Sequence, residues 1–192
     1  MRAAIAEGER ARGSTGDNPW VGSVLVFDGA IVARGHTQGP GEDHAEIGAL
    51  REARALGLDL SRATLYSTLE PCAFHGRTPA CARVIAESGV RTLVVGIRDP
   101  HPRVDGAGIA MVRAAGIEVL EDVCAVEIRR QLGRWIVQYH PHEPLRRALG
   151  LGATITAPPS AASIDEVAAK LADIYDTDRT TAEALARQAL GR

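Results

Sequence analysis

One stretch limits the fold of this chain more than any other. Arg91-Thr92-Leu93-Val94-Val95-Gly96-Ile97 is an apolar run with no polar alternation. Such a run reads as a strand covered on both faces, and helices supply the cover. The flanking segments agree. Residues 2–12 carry Ala3, Ile5 and Ala6 and end in the breaker Gly13-Ser14-Thr15-Gly16. Residues 21–27 are β-rich, and Ala30-Ile31-Val32-Ala33 follows directly after Asp28-Gly29, a dipeptide that marks a tight hairpin. From His44 the pattern turns helical, with Ile47, Leu50, Ala53 and Leu56 about one turn apart before Gly57. Residues 63–68 return to strand. A helix is expected over 79–88, with Pro79 in its first turn and Gly89 at its C-cap. A short helix over 106–115 closed by Gly116, a strand over 117–120 and one amphipathic helix over 123–139 complete the series. A hairpin followed by alternating helix and strand predicts an α/β fold, a mixed sheet with helices on its faces.

Beyond Tyr139 the character changes. Residues 150–163 hold Pro158-Pro159 and small residues without charge, which is linker chemistry. The expected organisation is a domain over 1–140, a linker over 141–163 and a helical tail over 164–192. In the tail, Ser163-x-x-Glu166 and Thr180-x-x-Glu183 match capping boxes, each ahead of an apolar stripe. About 30 residues cannot bury a core of their own, so the tail has to dock.

Composition excludes several classes. The chain has 192 residues, 45% of them apolar and 24% charged, an ordinary globular balance. With 22 Lys and Arg against 24 Asp and Glu the net charge is −2, so a broad nucleic-acid footprint is not expected. No apolar run approaches the ~18 residues that a bilayer requires, and no membrane partner is expected. The N-terminus becomes charged at Glu7, before a signal-peptide core could form. Three cysteines make no disulfide framework, which points to a reducing, cytoplasmic setting where cysteine beside histidine serves metal or chemistry.

The chemistry concentrates in His44-Ala45-Glu46, Pro71-Cys72 and Cys81. One imidazole and two thiolates suit Zn2+ and leave a fourth position for water, whose pKa zinc brings toward about 7. Glu46, two residues after His44, can accept that water's proton and return it to a ring nitrogen or leaving amine. Three ligands beside a non-ligand carboxylate describe a hydrolytic site, and the set is that of zinc nucleobase deaminases. The plain alternative is a surface histidine, a cap-adjacent glutamate and two buried thiols.

The first 135 residues or so resemble the deaminase domain of the riboflavin pathway, which deaminates a diaminopyrimidinone ribosylamino phosphate. The resemblance rests on Asn18-Pro19-Trp20-Val21-Gly22, His44-Ala45-Glu46, Thr68-Leu69-Glu70-Pro71-Cys72, Gly76-Arg77-Thr78-Pro79-Ala80-Cys81 and Asp99-Pro100-His101-Pro102 through Gly106-Ala107-Gly108. The eight residues between Cys72 and Cys81 separate it from deaminases with Cys-x-x-Cys. The resemblance implies a three-layer α/β/α cytidine-deaminase-like fold with zinc on His44, Cys72 and Cys81. It also implies that Asn18 meets the pyrimidine edge, Arg77 the phosphate and Asp99 the ribosyl part. Gly35-His36 resembles a substrate-side pair, which places His36 among the contacts.

Two departures bear on specificity. Ala73-Phe74 stands where the family commonly has Ser-His, with His75 adjacent as a substitute, and residues 37–43 are one longer than usual. The family often fuses a reductase, whereas only the short tail follows here, so reduction is expected on another polypeptide. His101 is equally a contact or a surface residue. His140-Pro141-His142-Glu143 reads as a solvated loop, Cys124 as a buried thiol, and Arg129-Arg130 and Arg146-Arg147 as solvated faces.

Three functions are therefore in view. The first is a deaminase of the riboflavin-pathway aminopyrimidine, releasing ammonia. The second is the same chemistry on another aminated heterocycle, phosphorylated or not. The third is a non-catalytic deaminase-fold scaffold. A small-molecule substrate and a homo-oligomer are expected for the first two.

Overall fold

The computed structural model describes residues 1–148 and 163–190. The chain divides into two compact units, Met1–Ile128 and Arg129–Arg192. The first unit runs α1 (Arg2–Glu9), β1 (Gly22–Phe27), β2 (Ala30–His36), α2 (Ala45–Ala55), β3 (Ala63–Leu69), α3 (Cys81–Ala86), β4 (Thr92–Ile97), α4 (Ala107–Ala114) and β5 (Glu118–Leu120), with a 3-10 turn before β3. The five strands form one sheet in the order β2-β1-β3-β4-β5. The β1 strand is antiparallel to β2 and β3, whereas β3, β4 and β5 run parallel, so the sheet is mixed as expected.

The β1–β2 hairpin turns at Asp28 and Gly29, both with positive φ (47° and 79°), the combination that a primed two-residue turn requires. Every residue of β4 is buried, as the uninterrupted run predicts. Register assigns the layers. Leu25, Leu65 and Leu93 sit side by side across β1, β3 and β4, and pack with Ala49 and Leu50 of α2, Ile85 of α3, and Ile109 and Val112 of α4. Gly35 pairs with Ser23, on the same face as Leu25 by strand alternation. Gly22 lies on the opposite face, where its Cα abuts the backbone of Ala4 and Gly8 in α1. Gly96, also on that face, abuts Ile128. The sheet is thus sandwiched by α2, α3 and α4 on one side and by α1 and Ile128 on the other, which is the three-layer α/β/α arrangement.

Three expectations require correction. The helix expected over 79–88 starts only at Cys81, with Ala80 extended as its N-cap, which leaves Pro79 in the preceding loop. The single helix expected over 123–139 is two, α5 (Ala125–Gln131) and α6 (Gly133–Tyr139), broken at Leu132. Gly133, at the break, presses its Cα against the backbone of Tyr175, an approach closed to any residue with a Cβ. Thr180 caps nothing. The last helix, α9 (Arg179–Leu190), is instead capped by Asp178, whose carboxylate accepts from the Thr181 N–H at 2.9 Å.

In the second unit, α7 (His142–Ala148) lies within the span expected as linker, and residues 149–162 of that span are outside the described residues. The α8 helix (Ile164–Tyr175) carries the complete Ser163–Glu166 capping box. Both tail helices dock. Val167, Leu171, Tyr175, Ala182 and Leu185 are buried together with Leu132, Trp135 and Ile136 of the same unit. Among the described residues no helix is long and apolar enough to cross a membrane.

The Gly35 contact gives a test. A Cβ there would strike the carbonyl of Ala45 and the N–H of Ala49, in the first turns of α2. Gly35→Ala is expected to destabilise the protein by about 1–3 kcal/mol, the range for overpacking. It should also weaken metal binding, because Ala45 directly follows His44. Urea denaturation and zinc titration on the same variant check both effects.

Candidate metal centre and cleft

The sheet brings three short segments to the carboxyl ends of β3 and β4, where ligand sites of α/β sheets ordinarily form. His44 is the extended N-cap residue of α2, and Glu46 lies in that helix's first turn. Cys72 follows β3 by way of Glu70-Pro71, and Cys81 opens α3. Their ligand atoms come together. Nδ1 of His44 is 3.3 Å from the Cys81 sulfur and 3.8 Å from that of Cys72, and all three ligand atoms lie within 4.8 Å of one another. The Cys81 N–H donates to the Cys72 sulfur at 3.3 Å.

The two sulfurs act on each other's ionisation in opposite directions. The neighbouring Cys81 thiol and His44 pull the Cys72 pKa down, while the resulting thiolate and burial push Cys81 up. Without a cation the pair therefore holds one negative charge between two sulfurs. A divalent ion removes that conflict and lets both serve as thiolates, so the donor set fits zinc with one position left open. Glu46 is 4% exposed, and burial raises its pKa. Its carboxyl is felt by both His44 and Cys81, so it borders the cage without belonging to the three-ligand cluster.

A cleft of about 210 Å³ opens onto this centre, lined by His44 and Cys72 with Asn18, Gly41, Phe74 and Arg77 among its walls. Thr15 fixes Asn18 from both sides: its carbonyl accepts the Asn18 N–H at 3.2 Å and its hydroxyl donates to the Asn18 carbonyl at 2.7 Å. Arg77 stands at the exposed edge and pairs with Asp17 at 3.1 Å. Asp99 is buried beyond the end of β4, and its carboxylate accepts from the His101 N–H at 2.8 Å. Burial, together with Glu70, Cys72 and Glu46 nearby, pushes the Asp99 pKa up to about 7.

Three of the substrate-contact candidates from sequence are not on the cleft wall: Asp99, buried, is not among the lining residues, and two others lie elsewhere. His36 binds Glu7 of α1 through Nδ1 at 2.8 Å and lines a separate cleft with Arg10, Asp43 and Arg51. Glu7, buried by the packing of α1 on the sheet, is the partner that holds it there. His75 is exposed and absent from the cleft wall, which Phe74 occupies instead.

Glu70 has a role that sequence reasoning did not assign. Its buried carboxylate accepts the backbone N–H groups of Asp99 (3.3 Å), Gly106 (2.9 Å), Gly108 (2.9 Å) and Ile109 (3.2 Å). All four partners are donors, so the group that fits them is the anion. Gly108 also abuts the Pro71 carbonyl, and Gly106 has φ of 92°. The spaced glycines of Gly106-Ala107-Gly108, two residues apart behind Asp99-Pro100, were the available signal. They mark a loop whose backbone packs directly on the Pro71-Cys72 turn.

Residues 1–97 match the zinc-binding region of cytidine and deoxycytidylate deaminases. The chain belongs to this family. It is 40% identical over 162 residues to the riboflavin biosynthesis protein RibD of Aquifex aeolicus, covering 81% of this chain and 45% of that protein. It is 45% identical over 119 residues to RibD of Escherichia coli, covering 62% and 32%. Among solved structures it is similar to the Thermotoga maritima diaminohydroxyphosphoribosylaminopyrimidine deaminase/5-amino-6-(5-phosphoribosylamino)uracil reductase. That match has 44% identity and a TM-score of 0.68, and covers 71% of this chain and 39% of the other. The chain thus spans less than half the length of these relatives.

Glu70→Ala is expected to strand four backbone donors and to lower stability by about 3 kcal/mol or more. Glu70→Gln, which turns an NH2 group toward N–H donors, should recover only part of the loss. Chemical denaturation of the three proteins measures the order wild type, Gln, Ala.

Proposed function

We propose that this chain is a zinc-dependent hydrolytic deaminase whose substrate is the diaminopyrimidinone ribosylamino 5'-phosphate of riboflavin biosynthesis. The observation that carries the reading is the three-ligand cage of His44, Cys72 and Cys81, set beside a buried carboxyl that is not part of it. The riboflavin-biosynthesis relatives and the eight-residue spacing between the cysteines support the substrate.

In the reaction a ring C–NH2 becomes C=O: water adds, one of its protons goes to the ring nitrogen and the other to the amine, and the amine leaves as ammonia. Zinc held by His44, Cys72 and Cys81 supplies a Lewis acid that makes water a nucleophile near neutral pH. Glu46 takes up a proton at its carboxylate oxygen and delivers it to the ring nitrogen, then carries the next to the leaving amine. Burial suits Glu46 to this work, because it raises the carboxyl above its ordinary pKa and so favours holding a proton. Asn18, its backbone fixed by Thr15, presents an amide that can both donate to and accept from the pyrimidine edge. Arg77 receives the phosphate at the cleft's rim, where the dianion replaces Asp17. The ribosyl contact that the resemblance implies for Asp99 would require the buried carboxylate, which accepts the His101 N–H, to be reached from the cleft.

A scaffold without catalysis needs neither an open ligand position nor a buried carboxyl beside it. Turnover of an unphosphorylated heterocycle, with the pyrimidine phosphate inert, would favour the second substrate class. The Phe74 wall is the feature that motivates that second reading.

Glu46→Gln keeps the shape of the side chain and removes the base. It is expected to retain zinc and to lose turnover by ~10²–10⁴-fold. Zinc by atomic spectroscopy and ammonia release are read on one preparation, and near-wild-type turnover sinks the mechanism. Arg77→Ala should weaken the phosphorylated substrate by about 1.5–3 kcal/mol, the worth of a charged hydrogen bond, and leave the nucleoside nearly unchanged. Equal losses on both would make Arg77 a structural residue.

A further inference from the structure

Phe74 is the one phenyl side chain lining the cleft among the described residues, and two side chains that do not line the cleft pack against it. The Arg103 guanidinium lies over its ring with the central carbon 4.1 Å from the centroid. The His101 ring meets the same phenyl group at 5.4 Å between centroids, tilted by 39°. The clamp is itself braced. Asp99 accepts the His101 N–H at 2.8 Å, and Nδ1 of His101 accepts the Arg103 N–H at 3.1 Å. Glu70 then ties the Asp99 backbone to the segment that bears Cys72.

Two other arginines lie over aromatic rings, and the comparison is instructive. Arg12 over Trp20 is also paired with Glu9, and Arg62 over Phe27 with Asp28. No carboxylate pairs with the Arg103 guanidinium among the described residues. Its charge therefore acts on the ring undiminished by a counterion. A cation on one face of a ring draws π density toward itself, so the ring becomes a better neighbour for an electron-rich surface. Aminated pyrimidines are electron-rich.

We infer that Phe74 is the specificity-determining wall of the cleft, and that Arg103 is the positioning residue that holds and polarises it for stacking on an amino-substituted heterocycle. The inference rests on the deaminase reading and adds the element that selects the ring. Arg103 does not itself line the cleft, so it acts through Phe74. Its loss should appear in substrate binding, with little effect on the chemical step or the metal.

The test uses the full-length zinc protein and the aminopyrimidine in its phosphorylated and dephosphorylated forms. Arg103→Gln, which keeps length without charge, should raise KM by about three- to tenfold on both forms and leave kcat within about twofold. Phe74→Leu should do the same, and the double variant should be no worse than the poorer single one, because the two residues act as a unit. Zinc content and thermal stability of Arg103→Gln should match wild type, since Arg103 is exposed. An unchanged KM, or losses that add in the double variant, would overturn the inference. A loss confined to the phosphorylated form would also overturn it, by making Arg103 a phosphate contact. Wild-type protein that turns over neither form defeats the substrate reading, and this inference with it. Wild-type turnover with an unaffected Arg103→Gln defeats the inference alone.

Discussion

The site depends on a single carboxylate that takes no part in the chemistry. Glu70 gathers four backbone N–H groups from the loop after β4 and the start of α4, and it sits two residues before Cys72. Parallel strands deliver their carboxyl ends side by side, but the loops that leave them have no ladder to hold them together. The buried anion supplies that hold. Because it binds backbone and not side chains, it fixes where the Asp99 segment runs while leaving the identity of the residues along it free. The contact of Gly108 with Pro71 closes the same junction from the other direction.

The metal cage adds a second constraint, electrostatic in origin. Two thiols placed against one imidazole share a single ionisation until a cation arrives. Each ligand comes from a different element: the N-cap of α2, the turn after β3 and the first residue of α3. Metal binding therefore joins three segments, two of which already meet directly where the Cys81 N–H donates to the Cys72 sulfur. Coordination energy in such a centre is also folding energy.

Much of this was legible in the sequence, and the failures share a cause. The Asp28-Gly29 turn, the buried β4 strand and the cage of His44, Cys72 and Cys81 follow from local chemistry: positive φ, unbroken apolarity and ligand type. What local chemistry cannot show is which distant group claims a side chain. His36 follows a glycine as the family pair does, yet Glu7, twenty-nine residues earlier, captures it. Thr180 had the spacing of a cap, but Asp178 reached the helix start first. The break between α5 and α6 depends on Tyr175, more than forty residues away, pressing on Gly133. Glu70 looked like part of a motif for the metal and proved to be the anchor of another loop. At His36, Gly133 and Glu70 the deciding partner is remote in sequence, whereas Asp178 is only two residues from Thr180.

The segment between the two cysteines has a separate consequence. Residues 73–80 belong to no helix or strand, and they carry both Phe74 and Arg77 of the cleft wall. Their ends are pinned by the cage itself, through Cys72 and Cys81. Helix-to-sheet spacing, by contrast, is set by backbone contact at Gly22 and Gly35 and cannot be adjusted by exchanging side chains. The molecule thus separates a fixed reaction centre from a replaceable cassette of eight residues. Evolution or an engineer can rewrite that cassette while the cage of His44, Cys72 and Cys81 and the core stay where they are.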